Sequence, residues 1–105
     1  MTLISTDMDN IINIAISDLI FMIDSYPSHN ENERFVFIDE YGNPNKYARK
    51  IGQDLYTLGG TSLLHVVMNK LLYIVDDKII NGEYWVIFDL RQLEFCWNNI
   101  GTWTA

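Results

Sequence analysis

Tyr84-Trp85-Val86-Ile87-Phe88-Asp89-Leu90-Arg91-Gln92-Leu93-Glu94-Phe95-Cys96-Trp97-Asn98-Asn99-Ile100 can be read as a strand or as a helix, and the two choices give different folds. Its first five residues are aromatic or β-branched and alone would suit a strand. Over the longer span, Val86, Leu90, Leu93, Trp97 and Ile100 recur at alternating intervals of four and three. That spacing lines one helix face and predicts a helix near residues 86–100. The runner-up pairs residues 84–88 with Arg34 to Asp39, giving an α+β protein with a small two-stranded element.

Upstream, Asn81-Gly82 marks a break. Before it, a helix from Thr61 or Ser62 to about Val75 is apolar nearly all round, with His65, Asn69, Tyr73 and Asp76 on one line. Such a helix belongs in the centre of a bundle. Another, from about Asn45 to Leu58, sets Tyr47, Ile51, Leu55 and Leu58 on one face and meets Gly59 as its natural cap. The first helix has Ser5 or Thr6 as candidate N-cap, Asp7 and Asp9 near its positive end, and an end near Asp24. Asn10, Asn13, Ser17 and Asp24 form a narrow wet stripe among aliphatic residues, the pattern of a mostly buried helix. Phe21 flanks that stripe, at the core edge or facing a partner. Pro27 ends the helix and opens a polar connector from Ser25 to Arg34. Phe35 to Ile38 is a short strand or a buried helical turn, and Asp39-Glu40-Tyr41-Gly42-Asn43-Pro44 has turn chemistry. The expected fold is all-α: one domain over residues 1–105, a compact bundle of about four main helices near 6–24, 45–58, 62–75 and 86–100.

Hydrophobic residues make up 49% and aromatics 13% of the 105 residues, enough to build one core. Cys96 is the sole cysteine, so no intramolecular disulfide forms and the cytoplasm is the expected compartment. The N-terminus carries no basic leader, and the apolar run from Ile11 to Ile23 is broken by Asn13, Ser17 and Asp18. Neither a signal peptide nor a membrane span is expected there.

The net charge of −7 is unevenly placed. Residues 1–40 hold eight carboxylates (Asp7, Asp9, Asp18, Asp24, Glu31, Glu33, Asp39, Glu40) against Arg34 alone, while six carboxylates and six bases balance from Tyr41 onward. Such a field attracts a basic partner and repels nucleic acid, although an acidic surface also serves plain solubility.

Convergent catalytic parts are missing. A nucleophilic site needs Cys96 or a serine beside an oriented histidine, yet His29 falls in a loop, His65 on a helix and Cys96 among core positions. Two isolated histidines and one cysteine have no zinc-ligand spacing, Asp76-Asp77 is too short for a calcium loop, and Gly59-Gly60 lacks the spaced glycines of a phosphate cradle. No metal and no cofactor are expected. The polar line through His65 reads as a solvent-facing stripe or as the wall of a ligand pocket. Trp85, Trp97 and Trp103 read mainly as core, with Trp103 either folding back as a lid or meeting a partner.

Ile51-Gly52-x-x-Leu55-Tyr56-x-Leu58-Gly59-Gly60 and Leu93-x-x-x-Trp97-Asn98-x-Ile100-Gly101-x-Trp103 resemble a pattern of small, largely helical bacterial proteins, over roughly the second half of the chain. With the small size and the acidic first half, the whole is similar to immunity proteins of contact-dependent growth inhibition and related polymorphic toxin systems. The resemblance implies a non-enzymatic role: binding a cognate toxin C-terminal domain, often a basic nuclease and in some systems one similar to ribonuclease A. It implies no particular contact residues. From the residues themselves, Glu31, Glu33, Asp39, Glu40 and Tyr41 are the candidate contacts, with Phe21 or Trp103 as anchors. Two other classes fit the same composition: a small acidic regulatory or adaptor protein, and a small enzyme using His65, which would need a concave pocket around that histidine.

Overall fold

The computed structural model describes residues 2–105, with side chains from residue 7 onward, and contains three α-helices among the described residues: α1 (Thr2–Ser25), α2 (Lys46–Ile80) and α3 (Trp85–Cys96). A single 3₁₀ turn, Glu31–Glu33, lies between α1 and α2. The all-α class holds, and the count of four helices is corrected to three. The segments expected as separate helices near 45–58 and 62–75 join across Gly60, the one residue of α2 off the helical conformation (φ 68°, ψ −165°). Positive φ is open to glycine at no steric cost, so one residue kinks the axis and the helix resumes at once. Asn45 caps α2 by accepting from the backbone N–H groups of Tyr47 (3.0 Å) and Ala48 (3.1 Å).

α2 is the spine, packing against α1 on one side and α3 on the other. Its 35 residues are long and apolar enough to cross a membrane by composition alone, and here they form the centre of a three-helix core. Leu64, Val67, Leu71 and Val75 of its second half are fully buried. Yet Val66, Leu72 and Ile74 are substantially exposed, because two neighbours cannot cover a helix that is apolar all round. In its first half the buried face is Ala48, Gly52 and Leu55, displaced from the expected one: Tyr47 and Leu58 face solvent. α1 is likewise half-buried rather than mostly buried. Ile12, Ala15, Ile16, Leu19 and Ile23 enter the core, whereas Ile14 does not. It begins at Thr2, upstream of Ser5 and Thr6, which therefore do not cap it.

Small residues on the first half of α2 let the C-terminal segment come close. A methyl group placed on Gly52 would lie 2.5 Å from Trp97 Nε1, and one on Gly101 would lie 2.1 Å from the Tyr56 ring. Trp97 Nε1 donates to the Ala48 carbonyl at 3.0 Å. The two sequence patterns thus interlock, each supplying a glycine to the other's aromatic ring. α3 ends at Cys96, short of residue 100, since Asn99 takes a left-handed conformation (φ 68°) and turns the tail back. Ile100 and Trp103 still reach the core, with Trp103 edge-on to Trp97 at 5.6 Å.

Residues 34–38 form neither a strand nor a helical turn. The segment is irregular, bending at the buried Val36 and Phe37, and its backbone pairing is one antiparallel bridge, Ile38 with Pro44. Residues 84–88 are not its partner, since Trp85 already belongs to α3. A side chain of α3 fills that role: Gln92 Oε1 accepts from the N–H groups of Val36 (2.9 Å) and Phe37 (3.2 Å), and its Nε2 donates to the Arg34 carbonyl.

Candidate partner-binding surface

The acidic connector is held from within by Arg34. Its side chain is 1% exposed, and its guanidinium donates from Nε to Asp89 Oδ1 at 2.9 Å and from Nη2 to Asp89 Oδ2 at 2.6 Å. Nη2 also donates to the Ile23 carbonyl at 3.1 Å and Nη1 to that of Ser28. The cation lies 5.3 Å from the Tyr26 ring centre and 6.0 Å from that of Trp85, which stacks on His29 at 4.5 Å. One side chain therefore ties the end of α1, the connector and α3 together. Burial pushes the Asp89 carboxyl above its ordinary value, and Arg34 pulls it part of the way back.

Glu31 and Glu33 are exposed on the 3₁₀ turn, which Asn30 caps by accepting from Asn32 N–H at 3.0 Å. Tyr26 Oη donates to the Glu33 carbonyl at 3.0 Å. The connector is thus bonded along its length and is not a loose tether. The next turn is built around Asp39. Its Oδ1 accepts from the N–H groups of Tyr41 (2.9 Å) and Asn43 (2.8 Å), and its Oδ2 accepts from Asn43 Nδ2 at 3.0 Å. Those bonds, Asn43's foremost, hold the Asp39 carboxyl below its ordinary value of 3.8. Gly42 follows with φ 84°, as the turn requires. Glu40 is exposed beside it, and Tyr41 is 82% exposed at the tip.

Of the two candidate anchors, Phe21 is 71% exposed on α1, outside the core edge. Trp103 is 5% exposed and takes the lid position, donating from Nε1 to the Glu94 carbonyl at 3.0 Å. Its indole is fully engaged in the core, so it is not available as an anchor in this conformation. His65 is exposed with its ring 4.7 Å from that of Trp103, and Asn69, Tyr73 and Asp76 continue a solvent-facing stripe. Asn69 and Tyr73 line one of the principal clefts and Asp76 another, while His65 lines none of them. Cys96 is buried, its thiol pushed up to about 11 by that burial and therefore protonated at neutral pH. Among the described residues no three His, Cys, Asp or Glu side chains gather into a metal-binding group.

Arg34, Asp89 and Gln92 escaped the sequence reading, although a signal was there. A single arginine amid eight carboxylates, followed at once by an apolar run, is a candidate for a buried pair. Its burial changes the surface charge. With Arg34 and Asp89 neutralising each other inside, all eight carboxylates of residues 1–40 are exposed with no exposed lysine or arginine among them, while six such bases and five carboxylates remain from Tyr41 onward. Among the described residues Asp24 alone of the eight forms an ion pair, with Lys78 Nζ at 2.9 Å. Comparison with known protein families, with curated sequences and with solved structures finds no match.

Proposed function

We propose that this chain is an immunity protein: it binds a cognate basic toxin domain, a nuclease and in one form a ribonuclease A-like RNase, and blocks its active site. The observation that carries this reading is the exposed set of carboxylates on residues 1–40, with no exposed lysine or arginine among them. A nuclease site is electropositive because it holds phosphate, so an acidic surface occupies it as a nucleic-acid mimic and is steered to it at speed. Four of the carboxylates, Glu31, Glu33, Asp39 and Glu40, sit on a connector and turn fixed by internal bonds, which lowers the ordering cost of binding.

The test is co-expression of the toxin domain encoded beside this gene with the wild-type protein and with the quadruple lysine variant at those positions. Wild type is expected to protect and to form a complex whose association slows as salt rises. The variant is expected to associate more slowly and protect poorly. Full affinity in a folded variant rejects the acidic-surface mechanism, and a wild-type protein that neither binds nor protects rejects the assignment to that toxin.

A further inference from the structure

We propose that the open cleft between Phe35 and the Asp39–Asn45 turn docks a basic segment of a partner protein, one that presents a lysine or arginine next to an apolar residue. This rests on the functional reading above and gives it a location and an anchor. The cleft has a volume of about 340 Å³ and is lined by the apolar Phe35, Val36, Ile38 and Pro44 together with Asp39 and Glu40. Phe35 is 40% exposed while its neighbours Val36 and Phe37 are buried, so it is the accessible aromatic of this opening.

The occupant follows from the two kinds of lining. Long basic side chains lay an aliphatic stem along apolar surface and keep the charged head at a polar edge. Here the stem would lie against Phe35, Ile38 and Pro44, and the head would reach the two carboxylates. Asp39 is held ionised by its bonds within the turn, and Glu40 has no ion pair among the described residues. Two bases lie nearby. Lys46 is exposed just past the cleft, and Arg49 on the far side of the turn is engaged with the carbonyls of Cys96 (2.8 Å) and Asn98 (2.9 Å). Ile38 and Pro44 also line a second cleft, of about 580 Å³, where Phe95 is 56% exposed. Ile38 and Pro44 of the turn thus line two hollows, and only the first is also lined by carboxylates. Nucleic acid is repelled by those carboxylates, and a second copy of the chain would bring the same acidic turn toward another acidic protein.

The experiment follows backbone amide resonances of the isotope-labelled protein during titration with end-blocked Leu-Arg-Leu and Leu-Glu-Leu peptides at millimolar concentration. Leu-Arg-Leu is expected to shift residues 35–45, and Leu-Glu-Leu is expected to shift none of them. With the inactivated toxin domain from the adjacent gene as second probe, Phe35→Ala and Glu40→Lys are each expected to weaken Kd tenfold or more. Glu31→Lys with Glu33→Lys is expected to weaken it less. Glu40→Lys alters an exposed side chain and keeps the test valid should Phe35→Ala unfold. Peptide shifts clustered on α1 or the connector overturn the proposal, as does wild-type affinity for the toxin domain in both variants. Concentration-dependent shifts of residues 35–45 in the protein alone also overturn it by assigning the cleft to a second copy. If Leu-Arg-Leu occupies the cleft while the toxin domain does not bind, the docking site stands and the assignment to that toxin falls.

Discussion

Asp89 and Asp39 grip the same short length of chain from opposite ends and from opposite sides of the molecular surface. Asp89 lies inside α3 and holds Arg34, where this length begins; Asp39 lies in water and holds Tyr41 and Asn43, where it ends. Their carboxyls move in opposite directions, Asp89 upward through desolvation and Asp39 downward through accepted hydrogen bonds. The interior carboxylate is cancelled by its partner and contributes to the path of the backbone. The exterior one shapes its turn while leaving a charge on the surface. A carboxylate's count in the sequence therefore says little until its depth is known.

Removing Asp89 separates the two roles most sharply. Asp89→Ala leaves the Arg34 cation buried without its counter-ion and is expected to cost about 3–5 kcal/mol in urea denaturation, whereas Arg34→Met combined with Asp89→Leu should recover much of that loss. Trp97→Ala supplies the scale, with about 3–5 kcal/mol expected from the cavity beside Gly52 and Ala48. Gly52→Ala forces a methyl group against the Trp97 indole and is expected to cost about 1–3 kcal/mol by the same measurement, without altering the acidic turn.

Titration of the two carboxyls followed by carbon NMR should place their midpoints on either side of the ordinary value of 3.8. Because Asp39 binds protons less readily when folded, its contribution to stability is present above its unfolded pKa and is lost as pH falls through its folded pKa. Asp89 acts in reverse: the folded state holds its proton to higher pH, so stability from this group declines as pH rises through the raised midpoint. Asp39→Asn retains an acceptor for Tyr41 and Asn43, and is expected to remove only the first of these slopes. The smallest effect is expected at Cys96. Cys96→Ser keeps the shape of a thiol that is protonated and idle at neutral pH, and binding should be largely retained; loss of function in a folded variant would point to covalent chemistry at that position.

The helical class was legible because apolar residues on α1, α2 and α3 repeat at helical intervals, and in the decisive stretch Val86, Leu90 and Leu93 are all buried as that spacing requires. Helix boundaries were less so. Gly59-Gly60 has the composition of a stop signal, but only Gly60 leaves the helical conformation, and a helix anchored on both sides by tertiary packing continues past it. The face of α2 was misjudged at Tyr47 and Leu58 because periodicity weighs large residues over small ones, whereas Ala48 and Gly52 are the positions that admit Trp97. At the acidic surface, the turn chemistry of Asp39 to Pro44 was readable from local preferences. Arg34, a lone arginine before an apolar run, marks one half of a buried pair, but its partner Asp89 and the grip of Gln92 lie more than fifty positions away, and no local pattern encodes which residues they join.

Gln92 has one more effect, on how copies of this protein meet one another in a crowded solution. Phe35-Val36-Phe37-Ile38 is short, strongly apolar and free of charge, the composition of segments that stack into fibrils when they straighten and their backbone edge is open. The carboxamide of Gln92 takes up the N–H groups of Val36 and Phe37 and the carbonyl of Arg34, so the edge is blocked at the positions where a foreign strand would dock. A glutamine on a helix thus acts as a guard against self-templating, and a protein that folds and binds normally without it would still be expected to form aggregates sooner on storage.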